Sequence, residues 1–115
     1  MKKVHQKMDS NKLTVEWAPF KVAANVSDAE LFTAANALEN NFLKQQPGYV
    51  RRELLKGEGR NWVDLVYWSS PESAQDASKL FMNSTACQQY FALMADTDGS
   101  GVAHYSQSHC WNASN

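Results

Sequence analysis

The run Gly59-Arg60-Asn61-Trp62-Val63-Asp64-Leu65-Val66-Tyr67-Trp68, closed by Ser69-Ser70-Pro71, constrains this chain more than any other stretch. Its aromatic and β-branched residues make it a strand, and the Ser-Pro pair behind it opens a helix. Side chains alternate along a strand, so Trp62, Asp64, Val66 and Trp68 take one row and Val63, Leu65 and Tyr67 the other. Both rows are mostly apolar, which predicts a central strand covered on two faces. One carboxylate, Asp64, interrupts them.

A chain of 115 residues holds one core, not two. Its formal net charge of −1 gives no electrostatic reason to expect nucleic acid or an anionic membrane as partner. No segment approaches the length of a membrane span, and Met1-Lys2-Lys3 leads into no apolar run, so no signal peptide is expected. Cys87 and Cys110 stand far apart and read as reduced thiols, which makes the expected location cytoplasmic. The sequons at Asn25, Asn83 and Asn112 then carry no weight.

Residues 1–11 read as a frayed polar arm, 12–108 as the domain, and 109–115 as a polar tail. Lys12 to Val22 alternates as a strand, with Leu13, Val15 and Trp17 on one row and Ala18, Phe20 and Val22 on the other. Pro19 donates no ladder hydrogen bond and marks a bulge or an unpaired position. Ser27-Asp28-Ala29-Glu30 is a capping box, opening a helix whose stripe is Leu31, Ala35, Leu38 and Phe42, widened by Phe32 and Leu43. Glu39 falls inside that stripe. Pro47-Gly48 ends the helix, with Gly48 supplying a left-handed turn.

Tyr49 to Lys56 is a second strand, turned back through Gly57-Glu58-Gly59. Pairing Lys56 with Arg60 would set Arg52 opposite Asp64, Leu54 opposite Trp62 and Val50 opposite Val66. A second helix starts at Ser70-Pro71, breaks at Asn83-Ser84-Thr85 and resumes to Asp96. The last strand runs from Val102 to about Ser108. The order β-α-β-β-α-β is that of a ferredoxin-like α+β domain with a four-stranded antiparallel sheet. Two helices cover only one sheet face. The doubly apolar strand therefore predicts a homodimer built through the open face.

Gln46-Pro47-Gly48-Tyr49, Trp62-x-Asp64-x-x-x-Trp68-Ser69-Ser70 and Phe81-Met82-Asn83-Ser84 before Phe91 resemble the dimeric α/β-barrel superfamily, in particular its antibiotic-biosynthesis-monooxygenase-like proteins. The resemblance covers roughly residues 13–108. It implies a dimeric α/β barrel with a pocket between sheet and helices in each subunit. Members include cofactor-independent oxygenases, haem-degrading enzymes and isomerases of small lactones. The haem-degrading branch has an Asn on the first strand, a Trp ending the third and a His on the second helix. Trp68 matches the Trp, whereas the other two positions fall near Phe20 and Ser78, and no His occurs between His5 and His104.

Arg60 to Tyr67 also loosely copies the third-strand signature of RNA-recognition motifs, yet Asp64 stands where an aromatic should stack, and the basic footprint is missing. Asp96-x-Asp98-x-Ser100-Gly101 matches the first half of a calcium loop, but the twelfth position is Gln107 and a strand follows, so a plain turn is expected. His104 and His109 point to opposite faces of one strand and cannot share a metal with Cys110 without a bend.

The expected site is thus an aromatic pocket with few polar groups. Trp62, Trp68, Phe20 and Tyr90 are its walls, and Asp64, Arg52, Glu39 and His104 are the groups able to handle protons. His104 is the first candidate base, because imidazole titrates near neutrality. Asp64 with Arg52 either orients a substrate or forms a structural ion pair. The resemblance implies a small-molecule enzyme akin to cofactor-independent monooxygenases, needing no cofactor and acting on a small aromatic or apolar molecule. The alternative is a non-catalytic ligand-binding or oligomerisation module of the same fold.

Overall fold

The computed structural model describes residues 12–95 and 101–113. In chain order the elements are β1 (Thr14–Lys21), α1 (Asp28–Asn41), β2 (Tyr49–Lys56), β3 (Asn61–Trp68), α2 (Pro71–Leu80), α3 (Thr85–Phe91) and β4 (Ala103–Ser106). Single 3-10 turns lie at Leu43–Gln45 and Phe81–Asn83. The strands form one antiparallel sheet in the order β2-β3-β1-β4, the ferredoxin-like α+β arrangement with β3 and β1 central. The polar arm 1–11 lies outside the described residues, as do Asp96, Asp98 and Ser100 of the calcium-loop reading.

Local chemistry sets the helix starts. The amide of Glu30 donates to Ser27 Oγ at 3.1 Å while Glu30 Oε1 accepts from the Ser27 amide at 2.9 Å, a complete capping box. Ser70 caps α2 through the Ser73 amide, with Pro71 in the first turn. The expected second helix is two helices, because Ser84 leaves helical geometry and caps α3 through the Cys87 amide. Gly48 adopts φ +84 with its carbonyl 2.8 Å from the Ser69 amide, and a Cβ there would lie 2.1 Å from Ser73 Oγ. Only glycine fits that crossing. The β1–β4 ladder stops at Trp17, two residues short of Pro19, so the proline meets no partner strand on that side.

The hairpin register differs from expectation by two residues. Lys56 pairs with Trp62, Leu54 with Asp64 and Arg52 with Val66. The turn is longer than Gly57-Glu58-Gly59, because the Gly57 amide donates to the Asn61 carbonyl and Gly59 takes φ +63 within it. An even shift keeps every side chain on its face. Arg52 therefore stays on the Asp64 side, one pair along. Val50 sits at a bulge between Tyr49 and Arg51 and is exposed, not opposite Val66.

The helices cover one face of the sheet. Phe20, Val22, Trp62, Val66 and Trp68 meet Leu31, Leu38, Phe42, Ala74, Ala77, Cys87 and Tyr90 there in one core. Phe32 is an exception to the expected stripe of α1: it stays exposed and lays its ring edge-on against Trp62. On the other face Trp17, Leu55 and Tyr105 are exposed, and Val15, Val63, Leu65 and Tyr67 half-buried. Arg51 stacks over the Tyr67 ring at 4.1 Å and Glu53 accepts from the Tyr67 hydroxyl there, but among the described residues no helix covers that face.

Candidate functional site

Between the sheet and the helices lies a cavity of about 440 Å³. Its sheet wall is Glu16, Ala18 and Phe20 of β1, Arg52 of β2, and Asp64, Val66 and Trp68 of β3. Leu38 of α1, Phe42 at its C-terminal cap and Ala77 of α2 roof it, with Phe81, Tyr90 and Phe91 completing the apolar lining. Met94, in the segment after α3, adds to the lining, and that segment is pinned to the end of β1 through hydrogen bonds from the Ala23 amide to the Leu93 carbonyl and from the Ala95 amide to the Lys21 carbonyl. The volume and the mostly apolar lining suit a small organic ligand.

Two carboxylates face this apolar space, and their surroundings differ. Asp64 is saturated. Its Oδ1 accepts from Arg52 Nε at 2.7 Å, and its Oδ2 from Arg52 Nη2 at 3.0 Å and from the Tyr90 hydroxyl at 2.6 Å. Arg52 also donates to the Ala35 carbonyl at 2.8 Å, so the ion pair ties β2, β3, α1 and α3 together. Burial pulls the guanidinium downward, but the hydrogen bonds and charge of Asp64 more than offset it and hold Arg52 above its ordinary value. Burial, followed by the charge of Asp64, pushes the Tyr90 hydroxyl well up, so it stays a proton donor.

Glu16 lies across from His104 in the β1–β4 ladder. Its Oε1 accepts from the Trp68 indole Nε1 at 3.1 Å and stands 3.5 Å from His104 Nε2. The Glu16 side chain is 21% exposed and that of His104 35%. Burial raises the Glu16 carboxyl above the usual carboxylate range, with the Trp68 hydrogen bond and His104 pulling the other way.

Of the residues named from sequence, Phe20, Arg52, Asp64, Trp68 and Tyr90 are brought together on this cavity. Trp62, Glu39 and His104 do not line it. Trp62 is buried at the hairpin end of β3, beneath Phe32. Glu39 points to the outer side of Arg52, accepting the Tyr49 hydroxyl at 2.8 Å and standing 3.7 Å from Arg52 Nη1. His104 sits behind Glu16, on the edge strand. Glu16 itself went unnamed, although alternation places it on the row of Ala18 and Phe20, an acidic residue on a helix-covered row like Asp64. No group of three His, Cys, Asp or Glu among the described residues is placed to hold a metal.

This four-stranded sheet backed by helices is a fold shared with solved structures that include a cofactor-independent oxygenase and putative antibiotic biosynthesis monooxygenases. No protein-family model matches the sequence, and no curated protein matches it. Solved structures do. SnoaB, a cofactor-independent oxygenase from Streptomyces nogalater, superposes with a TM-score of 0.64 at 17% identity, over 88% of this chain and 96% of its own. A putative antibiotic biosynthesis monooxygenase from Bordetella bronchiseptica gives 0.68 at 10% identity, over 88% and 100%. A conserved protein from Methanosarcina mazei Go1 gives 0.64 at 14%, over 89% and 99%. At these identities the likeness is one of fold.

Proposed function

We propose that this chain is a small-molecule enzyme of the cofactor-independent oxygenase kind, acting on an aromatic or polycyclic compound with an acidic proton. The observation that carries the reading is the apolar cavity of about 440 Å³ with carboxylates on its sheet wall. Such a site orients a flat ligand, excludes water and offers a proton acceptor. Loss of one proton leaves the electron pair on the substrate, whose carbanion-like form reduces dioxygen. For a ring methylene conjugated with a carbonyl across the same ring the balance is one dioxygen consumed, the methylene oxidised to a second carbonyl, and one water released.

The chain works as a homodimer in the cytoplasm, the exposed Trp17, Leu55 and Tyr105 of the open sheet face being covered by a second copy. Dioxygen uptake with anthrone, a tricyclic ketone of this type, tests the activity. Uptake of one equivalent with formation of anthraquinone supports it, and a rate equal to that in buffer contradicts it. A second reading, a binding module without turnover, is favoured by the saturation of Asp64. It predicts that anthraquinone binds while anthrone is not consumed.

A further inference from the structure

Two carboxylates reach the cavity wall, and only one of them has an oxygen to spare. Asp64 receives three donors from Arg52 and Tyr90, and its charge is matched by the guanidinium. A proton taken there would have to break a buried bidentate pair. On Glu16 both protein contacts fall on Oε1, from Trp68 and from His104, and no described residue donates to Oε2. No side-chain oxygen among the described residues is both buried and unpartnered, so Oε2 is open to the cavity or to solvent. Behind Glu16, His104 stands on the edge strand with about a third of its side chain in water.

We propose that Glu16 is the group that takes the proton from a ligand in the cavity, and that His104 carries it from Glu16 to solvent. The proposal rests on the reading of the cavity as a site for an aromatic molecule with an acidic proton. The C–H or O–H bond of the ligand breaks heterolytically, its electron pair stays on the ligand, and the proton passes to Oε2. Burial, which favours the protonated carboxyl, makes Glu16 a stronger base than an exposed carboxylate. The charged and titratable groups around it are His104 from β4 and Asp64 from β3, the latter held by Arg52 of β2 and Tyr90 of α3. Trp68 holds the carboxylate in place, and His104 is a positioning and relay residue that need not touch the ligand.

The test is hydrogen–deuterium exchange at the ring methylene of anthrone in deuterated buffer without dioxygen, followed by proton NMR across the neutral range. No oxidant takes part, so proton removal is read apart from oxygenation. Wild-type protein is expected to speed exchange, and Glu16→Gln, which keeps an acceptor for the Trp68 N–H, to lose roughly 10²–10⁴-fold. His104→Gln is expected to slow exchange less and to change the pH profile of exchange, which a merely structural role would not do. Should Glu16→Gln fail to fold, Glu16→Asp withdraws the carboxylate by one methylene and is expected to slow exchange. Wild-type exchange rates in the Glu16 variants overturn the proposal, and an unchanged rate and profile in His104→Gln overturns the relay. Binding of anthraquinone, which has no such proton, separates the two readings. If it binds and wild-type protein does not speed exchange, this proposal fails and the cavity reading stands. If it does not bind, both fail.

Discussion

Asp64 and Arg52 have side chains less than a tenth exposed, and a charge so placed is tolerable only while its partner is present. Arg52→Met is therefore expected to destabilise by about 3–5 kcal/mol, while Arg52→Met with Asp64→Leu costs much less. Denaturant midpoints of the two variants check this, and equal losses would contradict it. Tyr90→Phe removes one donor from Asp64 and is expected to cost about 1–3 kcal/mol. Glu16 predicts a pH effect of definite sign. Its carboxyl is raised in the folded state, so it contributes stability that is present below its unfolded value and lost as pH rises through the raised one. Glu16→Gln removes that loss, and the variant's unfolding midpoint should gain on wild type as pH rises above the ordinary glutamate value. A constant difference above that value would contradict it. The Asp64–Arg52 pair was legible in the sequence because alternation fixes faces. Glu16 was not singled out, since its partners, Trp68 and His104, are fifty residues or more away and only the sheet order brings them together.

At the level of elements, the caps were readable because they are local: Ser27 with Glu30, Ser70 with Pro71 and the break before α3 each depend on a few neighbouring residues. The hairpin register was not. It is decided by how the backbone passes Gly57 to Asn61, and the two-residue difference escapes a reading of hydrophobic rows because an even slip leaves those rows unchanged. Arg52 reaches Asp64 from the diagonal position in place of the expected direct one, within the span of a long side chain. Gly48 makes a sharper prediction. Alanine there adopts a left-handed backbone and drives its methyl into Ser73 and Ser69, so Gly48→Ala is expected to cost at least about 2 kcal/mol. A thermal midpoint within a degree of wild type would show that the β2 entry and α2 do not cross there as described.

For the whole molecule, the sheet has one face packed and one face bare. The open face carries exposed Trp17, Leu55 and Tyr105 around half-buried Leu65 and Tyr67, the second row of β3. Sedimentation should therefore find a dimer at micromolar concentration, and Trp17→Glu should shift it to monomer without unfolding it. A wild-type monomer at high micromolar concentration would contradict the covered face. On the other face Trp68 is 1% exposed and its indole N–H points at Glu16 across the cavity wall. Of the four tryptophans, Trp68 alone lines that cavity; Trp17 is on the bare face, Trp62 at the hairpin end and Trp111 in the exposed C-terminal segment. The indole N–H resonances of nitrogen-15-labelled protein, assigned with Trp68→Phe, report on each place separately. On saturation with anthraquinone the Trp68 resonance should move while those of Trp17 and Trp111 stay. An unmoved Trp68 resonance, or a shift confined to Trp17 or Trp111, would mean that the cavity is not where an aromatic ligand binds.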